Sequence, residues 1–239
     1  GYLQTQEEPS TLHDYSAGVG QSPLPLISHE IGQYQCYPNY REIPKYTGPL
    51  SPENLKQFQK RLEEAGMGDM ADRFFQASGR LAVQCYREEI EAALRTRDMA
   101  GFQLLGLQDF PGQGTALVGI LDSFLDSKGL ITPEEFRRFC APRVLLAKFP
   151  RYVWQEQETF EGEIFLADFG PESAADAAWR AGQYDVEVIL YSWENQVLGQ
   201  AHLKGSGSPG KLTALGPVHF ALPRVEQAAV MRLALRMGE

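Results

Sequence analysis

Apolar and polar positions give this chain two textures. Up to about Arg143 short apolar runs alternate with long helical patterns, and beyond it the periodicity is that of strands and turns. In the first region "PLPLIS" reads as a buried strand, with the apolar run at 24–27. "SPENLKQFQKRLEEAG" reads as a helix, with Ser51 to cap it, Pro52 in its first turn and Gly66 to end it. Leu55, Phe58 and Leu62 share one face of it. A second helical stretch spans 69–97, with a break expected near Gly79 and an inner stripe of Leu81, Cys85, Ile90 and Leu94. "GFQLLGLQDF" gives another strand over 101–107, and "TPEEF" opens a short helix with a capping box from Thr132 to Glu135. This order predicts β/α units with parallel strands.

From Val144 onward six stretches read as strands: "RVLLAKFPRYVW", "TFEGEIFLADFG", "QYDVEVILYSW", "VLGQAHLKG", "PVHFALP" and "AAVMRLALRMG". Phe160, Gly162, Ile164 and Leu166 fall on one face of the second. An antiparallel β-sandwich is the expected architecture, and "GSGSPG" is a turn within it.

Composition narrows the partners. A net charge of −9 disfavours nucleic acid, because phosphate binding needs a basic face. No apolar run approaches the length needed to cross a bilayer, so no membrane partner is expected. Cys36, Cys85 and Cys140 are far apart and show no zinc spacing, so neither a metal nor another cofactor is implied. The polar start, "GYLQTQEEPSTLHDYSAGVGQ", carries no signal-peptide pattern, which leaves the compartment open.

The chemistry centres on "SHEIGQYQ", where an apolar run gives way to Ser28, His29 and Glu30. An HExxH zinc helix fails, because position 33 is Gln and the second imidazole is missing. A serine triad fails as well: no GxSxG elbow occurs, and Ser28 and His29 are sequence neighbours whose side chains would point to opposite faces of a strand. A glycosidase carboxylate remains. Glu30 and Asp109 close successive strand candidates, where barrel enzymes place catalytic groups, and "FPGQG" follows Asp109. Pattern alone favours the plainer reading, in which Glu30 pairs with an arginine and Asp109 caps a loop.

A resemblance shifts that balance. "ISHEIGQY" resembles the seventh barrel strand of glycoside hydrolase family 2, the family of β-galactosidases, β-glucuronidases and β-mannosidases, where a Ser-Glu-Tyr/Phe-Gly type sequence carries the nucleophile. Glu30 matches that glutamate. "YREEIEAALRTRDMAGFQLLGLQDFPG" resembles the last helix and eighth strand, with Gln108 and Asp109 at the family's Asn-Asp pair and Phe110-Pro111 at its Trp-Pro. His29 stands where Ser often precedes the glutamate directly, and Leu105 where a Trp would fall. The resemblance implies an α/β plus all-β chain: the C-terminal part of a (β/α)8 barrel over 1–143, then an antiparallel immunoglobulin-like sandwich over 144–239. It implies a fragment of a retaining glycosidase acting on a β-linked carbohydrate, with the general acid/base upstream of Gly1. Glu30 is then the nucleophile, and His29, Gln33, Tyr34, Gln108 and Asp109 contact substrate, with Tyr37 a further candidate to line the cleft. The competing class is a non-catalytic carbohydrate-binding or interaction module built on the sandwich, for which Trp154, Trp179 and Trp193 would have to present an exposed strip.

Overall fold

The structure, a computed structural model, describes residues 3, 8–170, 184–206 and 209–238. The chain divides into two compact units, one of Gly1–Thr5, Ile27–Ile90 and Phe102–Arg137, the other of Gln6–Leu26, Glu91–Gly101 and Arg138–Glu239. Helices, the first a short α1 at Ser16–Val19, mix with mainly antiparallel sheets, and no sheet among the described residues closes into a barrel.

In the first unit strand β1, Ile27–Ile31, pairs with β2, Gly101–Leu104. Ala100 N–H donates to the Leu26 carbonyl (2.9 Å) and Leu105 N–H to the Ile31 carbonyl (3.2 Å); the constant offset is that of parallel strands. The apolar run at 24–27 is not the buried strand expected. Pro23 and Pro25 have no N–H to give a ladder, so pairing starts later, and Leu24 is 73% exposed. β2 likewise stops at Leu104, short of the expected end at 107.

Helix α2, Glu53–Glu64, buries Leu55 and Leu62 and half-buries Phe58. Pro52 occupies its N-cap position, and Ser51, instead of capping the backbone, donates to the Glu53 carboxylate. Past Gly66 the Met67 N–H returns to the Leu62 carbonyl (3.1 Å). Helix α3, Ala71–Arg95, runs unbroken through Gly79. Its inner stripe is Phe75, Ala82, Tyr86, Ile90 and Ala93, at helical spacing. Leu81 therefore falls off the stripe and is 59% exposed, and Cys85 is half-buried. Helix α4, Pro133–Arg137, has the capping box expected: Glu135 N–H donates to Thr132 Oγ1 (3.2 Å), and Thr132 N–H donates to Glu135 Oε2 (2.9 Å).

The second unit holds the other strands. β3 (Arg143–Lys148), β4 (Thr159–Asp168) and β7 (Lys211–Ala221) form one antiparallel sheet in the order β3-β4-β7. β5 (Tyr184–Tyr191), β6 (Val197–Gly205) and β8 (Arg232–Met237) form another in the order β6-β5-β8. One core draws on both sheets: Phe160, Ile164 and Leu166 of β4 and Val218 and Phe220 of β7 meet Val186, Val188 and Leu190 of β5. The alternation read along 160–166 is thus the inward face of β4. At its end buried Asp168 accepts from Tyr184 Oη (3.0 Å) and lies 3.3 Å from Arg143 Nε. The polar segment before β1 also belongs to this unit: Thr11 exchanges hydrogen bonds with Phe149, and Asp14 pairs with Lys148 at 3.0 Å. Trp154 packs on Phe160 and under Arg151, whereas Trp193 is half exposed; Trp179 lies outside the described residues.

Candidate functional site

Glu30 is the penultimate residue of β1 and has φ 56°, a left-handed conformation that non-glycine residues adopt at a cost of about 1–3 kcal/mol. Two residues later Gly32 has φ 84°. A side chain there is excluded twice over, by the backbone angle and because a Cβ would stand 2.1 Å from the Tyr86 ring. Between the two, Ile31 is buried. Ile31 thus anchors the strand end, and the Glu30 side chain beside it is 43% exposed.

The turn is held from behind by α3. Gly32 N–H donates to Glu89 Oε2 (2.7 Å) and Tyr34 Oη donates to Glu89 Oε1 (3.0 Å), with Glu89 itself buried. Tyr86 Oη donates to the Gly106 carbonyl (2.8 Å) and lies 2.9 Å from that of Val118. Burial pushes the Tyr86 hydroxyl far above its usual range, so it stays a donor. These contacts tie the segment after Glu30 to those after β2.

Around the Glu30 carboxylate the structure gathers two of the expected residues. Gln33 Nε2 donates to Oε2 (3.1 Å), and His29 Nε2 lies 3.9 Å from Oε1. Tyr34 is engaged with Glu89. Tyr37 packs edge-on to Phe74, and its N–H donates to Ser78 Oγ (2.7 Å). Gln108 is exposed and bridges to Leu121. Asp109 is almost fully buried, with Oδ2 2.7 Å from Lys128 Nζ and Oδ1 accepting from Gly119 N–H (2.9 Å). A Cβ on Gly119 would stand 2.3 Å from the Gln108 carbonyl carbon, so only glycine lets this N–H reach the carboxylate. Burial pushes the Asp109 carboxyl above its ordinary value, against the downward pull of Lys128 and the Gly119 N–H. Neither carboxylate oxygen of Asp109 contacts Glu30.

Sequence reasoning missed Glu89, Lys128 and Glu42. Glu89 had a signal: it sits three residues after Tyr86 and one before Ile90, on the inner face of α3. Lys128 and Glu42 lie where no periodicity marks a side chain as buried. Among the described residues no group of three or more His, Cys, Asp or Glu is placed to hold a metal ion, and no helix is long and apolar enough to cross a membrane.

No family model matches the sequence, and no curated protein matches it. A solved structure does: the β-D-mannosidase from Dictyoglomus thermophilum, 12% identical, with a TM-score of 0.54 over 95% of this chain. The chain spans 27% of that protein's length. At this identity the likeness is one of fold, a glycoside-hydrolase-like one.

Proposed function

We propose that this chain is part of a retaining glycoside hydrolase of the family 2 type: the end of a catalytic (β/α)8 barrel, then an immunoglobulin-like β-sandwich. Glu30 is its nucleophile toward a β-linked carbohydrate. The observation that carries the reading is the placement of Glu30. It is a solvent-facing carboxylate at the C-terminal end of a parallel strand, on a strained backbone braced by buried Glu89 and Tyr86, in a chain whose fold resembles a β-mannosidase.

In this reading Glu30 attacks the anomeric carbon as the glycosidic bond breaks, forming a glycosyl ester that water then hydrolyses. Gln33 donates to the attacking carboxylate and fixes its rotamer, and His29 stands beside the other oxygen. The mechanism needs a second carboxyl about 5–5.5 Å away as acid and then base. Asp109 is committed to Lys128 and does not serve. The family resemblance implies a glutamate of the fourth barrel strand for that role.

The test is Glu30→Gln in the full-length protein, assayed on a panel of aryl β-glycosides that includes the β-mannoside. Turnover should fall by about 10³-fold or more while sugar binding persists. Unchanged turnover would remove Glu30 from the role.

A further inference from the structure

Within the first unit Glu42 is a carboxyl that the glycosidase reading does not use. It sits in a 3-10 helix, Tyr40–Lys45, is only 3% exposed, and its Oε1 has no hydrogen-bond partner. A buried polar atom left unpaired is costly, so such a group points to a missing partner. Glu42 also lines a cleft of about 60 Å³ with Tyr46, Ser51, Asn54, Phe110 and Ser123.

The chemistry of the wall selects the partner. The cations near Glu42 are taken, Lys128 by Asp109 and Lys45 by Asp122 and Asp126, so no free positive charge remains to hold an anion. Burial raises the Glu42 carboxyl to about 7, so at neutral pH much of it is protonated, a donor and an acceptor at once. Its complement is a hydroxyl, which also donates and accepts. Ser123 adds a further hydroxyl partner, and Phe110, 63% exposed, offers a flat apolar face. A group with hydroxyls on its edge and C–H bonds on its face is a pyranose. The enclosed volume admits one edge of such a ring, leaving the rest over Phe110.

We propose that the cleft between Glu42 and Phe110 is a binding subsite for a neutral sugar, which enters it edge-first and hydrogen-bonds to the Glu42 carboxyl. The proposal rests on the glycosidase reading only for the choice of sugar class; binding is read separately from turnover.

The experiment titrates methyl glycosides of mannose, glucose and galactose into the isotope-labelled full chain and follows backbone amide resonances. At least one glycoside should perturb Ser51, Asn54, Phe110 and Ser123 together. Glu42→Leu should weaken that binding by about tenfold or more, and Glu42→Gln, which keeps a donor and an acceptor, by about threefold or less. Phe110→Ala, at an exposed position, should also weaken it. Glu30→Gln should leave these shifts in place, so loss of turnover and loss of cleft binding report on different sites. Failure of all three sugars to perturb the cleft would show that water alone satisfies Glu42 and would overturn the proposal. Binding by Glu42→Leu and Phe110→Ala equal to that of the parent chain would overturn it too.

Discussion

At Gly32 backbone angle and packing act on the same atom. Gly32→Ala must accommodate a Cβ against the Tyr86 ring at φ 84°, and should cost about 2–4 kcal/mol in urea denaturation. A loss under about 1 kcal/mol would mean that the turn relaxes freely. Glu42 makes a pH-dependent prediction. Its carboxyl sits at about 7 when folded against an ordinary 4.5, because burial outweighs Lys128 and Lys45, and Asp109 and Asp122 add to the rise. The folded state then binds that proton more tightly than the unfolded chain. Its contribution is fully present below pH 4.5 and is lost as pH rises through about 7, by about 3 kcal/mol. Denaturation of the parent and of Glu42→Gln between pH 4 and 8 should show that decline only in the parent; parallel curves would refute it. Glu30 was legible in the sequence through a motif resemblance, as an exposed acid at a strand end. Glu42 was not: a lone glutamate in "NYREIPKY" carries no periodic mark of burial.

Among the elements, helices were read most faithfully where caps and stripe agree. The α4 capping box formed as written, and α2 kept its inner face. Of the stripe expected on α3, Ile90 and Leu94 are buried, whereas Leu81 is exposed and Cys85 half-buried. Tyr86 and Glu89, polar-tipped residues, hold the inner face through buried hydrogen bonds. β1 starts later than expected because Pro23, before the apolar run, and Pro25, inside it, have no N–H to give a ladder. The segment after β2 is organised by the Asp109–Lys128 pair, which no local pattern announces. Lys128 also donates to the Gly119 carbonyl (2.9 Å), so one ammonium joins three parts of this segment. Lys128→Met leaves Asp109 buried without its cation and should cost about 3–5 kcal/mol. Adding Asp109→Asn should recover a substantial part of the loss, because the uncompensated charge is gone. Additive penalties in that double-mutant cycle would show that the two side chains do not act as a pair.

For the molecule as a whole, the change of texture near Arg143 was legible because strands and helices carry different periods, and all six later strand candidates became strands. The return of 6–26 to the second unit was not, since hydrogen bonds such as Thr11 to Phe149 join residues far apart in sequence. The first unit also sets an expectation for the chain in solution. Among the described residues its sheet has two strands, each with an unpaired edge, and Ile27, Leu105 and Leu107 are exposed beside them. Two-stranded sheets are marginal alone, and open apolar edges recruit other chains. The glycosidase reading explains both features, as surfaces that the remaining barrel strands would cover. It also denies this chain a full mechanism, because in that reading the acid/base carboxyl comes from the fourth barrel strand, which none of the described residues forms. The 239-residue chain should therefore associate with rising concentration in sedimentation velocity, and should turn over aryl β-glycosides no faster than its own Glu30→Gln variant. The full-length protein should stay at a fixed oligomeric state and be catalytically competent. Robust, Glu30-dependent turnover by the isolated chain would show that a carboxyl within these residues completes the pair. A monomer at all concentrations would show that the exposed edge needs no cover.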